Sequence, residues 1–210
     1  MKRHQSRSFL LSVTAPIVVA ILGIMVLWIK TDGARALTTE TARRLAITRT
    51  PRVPVPVMLE ASDRNRFTLA NLNGHIVIVD FIYTNCPTLC VSLGATFTLL
   101  QMKLVEAGRN DVRLVSIGFD TERDTPHALA AYGERHHADP RWWTLARVAN
   151  PQDLPSLLSS FGIVVIADSY GGFTHNAALH VIDSQGRLVR ILDADDVVSA
   201  IAFLSAKSAP

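Results

Sequence analysis

From about residue 55 onward two hydrophobic patterns alternate along the chain. Runs of β-branched and aromatic residues change places with longer stretches whose apolar positions recur every three or four residues. Ile76 to Tyr83 is an almost unbroken apolar run ending in Asn85, Cys86 and Pro87. This predicts a buried strand, because Pro87 suits the first turn of a helix and cannot continue a central ladder. Ser92 to Ala107 then carries Leu93, Phe97, Leu100, Leu104 and Ala107 at helical spacing, with no internal proline. Val112 to Phe119 reads as a second buried strand. Asp124, Thr125 and Pro126 open a helix to about His136, Trp143 to Val148 reads as a strand, and Asn150-Pro151 caps a helix reaching Phe161. Upstream, Phe67 to Leu69 predicts a short strand and Asn71 to Gly74 a turn. Downstream, Ala177 to Ile182 and Leu188 to Leu192 flank a turn over Asp183 to Gly186, before a helix from Asp193 through Ala206.

Strands alternating with helices imply parallel pairing, right-handed crossovers and helices on both faces of one sheet. With the antiparallel terminal hairpin and closing helix, the expected class is α/β with a thioredoxin-like layout. The cysteines then fall where a central strand ends, and ligands and chemistry collect at such strand ends.

The amino terminus follows another pattern. After Lys2, Arg3 and Arg7, residues Phe9 to Ile29 form an uncharged stretch, Pro16 included, of about 21 residues, long enough to cross a bilayer. The preceding basic residues orient it with a cytoplasmic amino terminus. Ala34 to Ala36 resembles a cleavage site, but cleavable apolar regions are shorter, so an uncleaved signal anchor is the favoured reading. The expected organisation is 1–30 cytoplasmic terminus and transmembrane anchor, 31–54 a tether running into a proline-rich lead-in marked by Pro51, Pro54 and Pro56, and 55–210 one globular domain. The expected location is a bacterial inner membrane, single-pass, with that domain on the periplasmic side.

The net charge of +3 does not indicate a nucleic-acid partner. Lys2, Arg3, Arg7 and Lys30 account for the excess, and no basic stripe with interleaved aromatics follows.

The chain has two cysteines, Cys86 and Cys90, both at the predicted helix start. Unpaired N–H groups and the positive end of the helix dipole favour thiolate there, so the pair is expected to be reactive. Positions i and i+4 share a helix face, close enough to clamp one soft metal ion and to close a disulfide once the first turn relaxes. Thiolates select Cu(I) and also suit zinc. The alternative is an inert pair or a structural bridge, but such a bridge closes a very short loop and removes little chain entropy. His175, in a glycine-rich stretch before the terminal hairpin, can supply an imidazole as third ligand, or can pair only with local backbone.

Three segments then resemble one family in order. They are Asp80 to Cys90 with its Cys-Pro-x-x-Cys spacing, Ser116 to Thr125 with Asp120, Arg123 and Asp124, and His175 followed by Leu179 to Gly186. Together they resemble the Sco/SenC family of membrane-anchored, thioredoxin-fold copper proteins that help assemble the dinuclear copper centre of cytochrome c oxidase. The likeness covers roughly residues 55 to 206. It implies copper as the metal, Cys86, Cys90 and His175 as its ligands, and the copper-bearing oxidase subunit or another copper acceptor as partner. Val91 and Thr174 depart from the family's proline and aspartate at those places; losing the aspartate removes a negative charge beside the imidazole.

The leading function is therefore a copper carrier without turnover. The alternative is a membrane-anchored thiol-disulfide oxidoreductase, with Cys86 attacking and Cys90 resolving. A peroxide-reducing enzyme is disfavoured, because such enzymes place Thr or Ser where this chain has Tyr83. Asp120, Arg123 and Asp124 read as a cap and loop clamp, His136 and His137 as solvated, and at least one of Trp142 and Trp143 as core. His180 is open to either the core or the site.

Overall fold

The computed structural model describes residues 17–29, 38–85, 89–169 and 171–207. The chain divides into two units, Met1–Ala46 and Ile47–Pro210.

In the first unit, residues 17–29 are helical (α1), and their large apolar side chains, from Ile17 to Ile29, are exposed. The first half of the predicted membrane segment, 9–16, lies outside the described residues. Among the described residues no helix is long and apolar enough to cross a membrane. Within the stretch expected to be a tether, Thr39–Arg49 is a helix (α2) that runs across the boundary between the units. Thr38 accepts the Thr41 N–H at its start, and Glu40 pairs with Arg43 and Arg44 one turn on, both at 2.7 Å. Capping and i,i+3 and i,i+4 ion pairs form this helix without an apolar stripe, so the hydrophobic pattern does not announce it.

The second unit is built on a seven-stranded sheet in the order β2-β1-β5-β4-β3-β8-β9. Its centre is β3 (Ile76–Ile82), β4 (Val112–Gly118) and β5 (Trp143–Val148), all parallel, with Ile76 opposite Val112 and Leu114 opposite Trp143. Every residue of β3 is buried, as expected where helices cover both faces of a parallel sheet. β1 (Leu59–Ala61) runs antiparallel to β5 and pairs with β2 (Arg66–Phe67). On the other side β8 (Ala178–Ile182) runs antiparallel to β3 and pairs with β9 (Leu188–Asp193), which is the predicted hairpin.

The crossovers are α3 (Leu89–Glu106) and α4 (Pro126–Arg135). Phe97 of α3 stacks on Trp143 at 5.3 Å, and α4 packs against β5, so both helices cover the face of Asp80, Ser116 and Trp143. α5 (Leu154–Phe161) covers the opposite face, where Phe161 meets Phe81 edge-on at 5.1 Å. α6 (Val197–Lys207) packs against α3.

Several sequence readings shift locally. The strand expected at 67–69 is Arg66–Phe67, and Leu69–Leu72 is a 3-10 turn in which the Asn71 side chain accepts the Thr68 N–H at 2.7 Å. β1 is too short for an alternation signal. The proline-rich lead-in is extended and bridges Arg52 to Leu188 through two backbone hydrogen bonds. Trp142 and Trp143 are both buried, and the Trp143 indole N–H donates to Ser116 Oγ at 2.9 Å. His136 is half-buried, and not simply solvated as the sequence reading has it. Its ring stacks on Tyr132 at 4.6 Å and lies over Gly94, where an added Cβ meets it at 2.4 Å. His137 is exposed.

Candidate metal and thiol site

β3 delivers the chain to the sheet end through Tyr83, Thr84 and Asn85. Cys86 and the two residues after it lie outside the described residues. Cys90 is the second residue of α3, within the first helical turn as the sequence predicts; its side chain is outside the description.

The approach to Cys86 is clamped from one side by the loop after β4. Asp124 is fully buried; its Oδ1 accepts both the Thr84 N–H at 2.7 Å and the Thr84 hydroxyl at 2.8 Å, and its Oδ2 accepts the Asp120 N–H at 2.8 Å. Burial raises the Asp124 pKa, and the Thr84 donors work against that rise. Gly118 leaves no room for a side chain, since a Cβ there comes within 2.8 Å of the Asp124 carboxyl. Asp120 forms an ion pair with Arg123, whose guanidinium lies over the Phe173 ring at 5.6 Å. This acid-base-acid cluster is the expected loop clamp. The cap of α4 is Thr125, which accepts the Ala128 N–H at 3.2 Å.

His175 is the last residue of a short strand, β7 (Phe173–His175), paired antiparallel with β6 (Val165–Ala167), and not a loop residue as the sequence suggests. Between β6 and β7, Asp168 Oδ1 accepts the Gly172 N–H at 2.8 Å. Asn176 pins the base of this arm, accepting from Val164 N at 2.7 Å and donating to the Gly162 carbonyl at 3.0 Å. Because β8 runs antiparallel to β3, with Val79 opposite His180, the residues just before β8 lie at the sheet end where β3 finishes.

The His175 imidazole is only 8% exposed, and Phe119 meets it edge-on at 5.0 Å. Among the described residues neither ring nitrogen has a hydrogen-bond partner. Burial pushes its pKa down to about 4, so the ring is neutral at neutral pH. A buried polar ring without a partner is costly, and a neutral imidazole is a common metal ligand. His180 is core: it is fully buried, it lies edge-on to Phe81 and Phe161, and its Nδ1 is 3.3 Å from the Val79 carbonyl.

Two features escape a sequence reading. Tyr83, Phe119 and Phe173 form one aromatic cluster with centroid separations of 5.3 to 5.6 Å. They come from three distant segments, so no local pattern in the sequence announces them. The second feature is Asp80, a carboxyl buried beneath the α3 side of the sheet. Burial pushes its pKa up to about 7, partly offset by the Ser116 hydroxyl opposite it on β4, which stays outside full hydrogen-bond geometry.

Raising a carboxyl from 3.8 to about 7 makes its contribution to stability present below pH 3.8 and lost as pH rises toward 7. At 1.36 kcal/mol per unit the loss is on the order of 4 kcal/mol. Asp80→Asn does not titrate, so chemical denaturation of the variant between pH 5 and 8 is expected to lack this downward component. A variant slope identical to the parent's rules out the buried carboxyl as its source.

A parallel-centred sheet with helices on both faces, a terminal antiparallel hairpin, and Cys90 in the first turn of the helix after a central strand define a thioredoxin-like protein. The SCO1/SenC family profile matches residues 50–206. The chain belongs to the SCO1/SenC family. It is 27% identical over 158 residues to the SCO1 protein homolog of Bacillus subtilis, covering 71% of this chain and 81% of that one. Among solved structures, Arabidopsis thaliana ScoI with copper bound superimposes with a TM-score of 0.64 at 21% identity, covering 74% of this chain and 99% of that one. BsSco, described as a member of the Sco family of cytochrome c oxidase assembly proteins with a disulfide switch, gives 0.65 at 23% identity, covering 74% and 93%. At these identities the structural likenesses establish the fold.

Proposed function

We propose that this chain is a membrane-anchored copper metallochaperone. Cys86, Cys90 and His175 take up copper as cargo, and ligand exchange passes it to a thiolate- and imidazole-rich acceptor, the dinuclear copper site of cytochrome c oxidase. The observation that carries this reading is the buried neutral imidazole of His175, with no hydrogen-bond partner among the described residues, at the sheet end where the cysteine strand finishes. Two soft thiolates and one imidazole suit copper, and related Sco proteins hold it. Phe9 to Ile29 anchors the chain in an inner membrane, with residues 55–210 on the periplasmic side.

A second reading is favoured by the disulfide switch of BsSco. One thiolate of the pair attacks an acceptor disulfide, releasing one acceptor thiolate and forming a mixed disulfide. The other cysteine then attacks that bond, freeing the second acceptor thiol and leaving Cys86 and Cys90 joined. The same chemistry prepares an oxidase copper site by reducing its cysteines, and the joined pair no longer binds copper.

Copper titration of the purified, reduced full chain tests the carrier. About one copper per chain with thiolate-to-copper charge transfer, and none after oxidation of the pair, is the expected result. Two free thiols without stable copper would transfer the assignment to the oxidoreductase.

A further inference from the structure

Tyr83 follows the last residue of β3 and precedes Cys86 by three positions. Its ring meets Phe173 edge-on at 5.3 Å and lies tilted against Phe119 at 5.5 Å. Its hydroxyl donates to the Phe173 carbonyl at 3.3 Å, and the Phe173 N–H points back at the same oxygen at 3.5 Å. Phe173 shares a face of β7 with His175, two residues on, while Phe119 packs against the His175 ring itself. A side chain just past the end of β3 thus holds the backbone of the histidine arm. Packing alone asks for nothing more than a phenylalanine here. The hydroxyl, on a residue only 5% exposed, carries a desolvation cost that the Phe173 backbone offsets.

We infer that Tyr83 is a positioning residue, whose hydroxyl fixes β7 relative to the end of β3 and so sets the reach of His175 toward the cysteine pair. Through it the position of His175 depends on the segment that leads from the end of β3 toward the cysteines. The role rests on the copper reading given above. Gly172 fits the same arrangement: an added Cβ there lies 3.4 Å from the Tyr83 hydroxyl and 2.7 Å from Asp168 Oδ2, so a side chain crowds the latch.

The test is a double-mutant cycle on the full chain with Tyr83→Phe, His175→Ala and their combination. It is read by competition titration with Cu(I), by Cu(II) charge-transfer absorption, and by the His175 ring nitrogen resonances of the metal-free protein. Tyr83→Phe is expected to weaken copper binding roughly 3- to 10-fold, the size of one net hydrogen bond. It is also expected to shift the charge-transfer band, perturb the His175 resonances and leave the reduction potential of the thiol pair unchanged. In the His175→Ala background it should change nothing further. Unaltered affinity and resonances in Tyr83→Phe, or an equal loss of affinity in both backgrounds, would overturn the role. A parent protein that holds no copper defeats the carrier reading, while the ring resonances still decide whether Tyr83 positions the imidazole.

Discussion

Cys86→Ser and Cys90→Ser should each abolish stoichiometric copper binding and complete thiol exchange, while the melting temperature stays close to that of the parent. Removing a partner one shell away from a metal typically costs 10- to 100-fold in affinity, so loss of a thiolate should cost more than ~100-fold. Serine offers a harder and far less ionised donor than cysteine, which favours other metals over Cu(I). The seating of α3 is carried by Leu93, Phe97, Leu100 and Leu104, each at most 1% exposed, so the fold is expected to survive either substitution. Exchange fails differently in the two variants. If Cys86 attacks, Cys90→Ser accumulates a mixed disulfide that nothing resolves, and a non-reducing gel shows it as a covalent adduct with the acceptor. Cys86→Ser then forms no adduct. Adducts in the reverse pattern assign the attacking role to Cys90, and stoichiometric copper in either variant excludes the three-ligand site.

The contrast between what could be read from residues and what could not follows from how each element is stabilised. β3, β4, β5 and β8 are buried through nearly their whole length, so apolar composition marks them directly. The position of Cys90 at the start of α3 was legible for a related reason, because Pro87 punctuates the end of a buried strand. The histidine arm was not. β6 and β7 have three residues each, too few for a periodic signal, and what fixes them is Asn176 at one end and Tyr83 with Arg123 around Phe173. His136 was misread because two adjacent histidines look like solvated helix surface. The residue that makes room for one of them is Gly94, on another helix. Asp80 hides inside an apolar run, where a single carboxyl does not break the strand pattern, yet it is the polar group of β3 least compensated by partners.

Replacing His175 by alanine should weaken copper binding and leave thiol exchange largely intact, because the imidazole is needed for coordination and not for attack of one sulfur on another. Loss of exchange equal to the loss in the cysteine variants would contradict this division. The histidine also leaves a signature in the metal-free protein. Its pKa is lowered from 6.5 to about 4, so the folded state binds fewer protons than the unfolded one between those values. Its contribution to stability is complete above pH 6.5 and is lost as pH falls toward 4, a change of order 3 kcal/mol. Asp80 acts in the opposite sense over the same range, losing its contribution as pH rises from 3.8 toward 7. Between about pH 4 and 6.5 the two slopes cancel, and these groups together leave the parent nearly indifferent to pH there. His175→Ala removes one side of that balance. Its stability should therefore fall as pH is raised from 4 to 6.5, where Asp80→Asn should rise. Chemical denaturation of the metal-free chains at pH 4.5 and 6.5 reads both signs, and a His175→Ala protein as flat as the parent would show that its imidazole is not held neutral by burial.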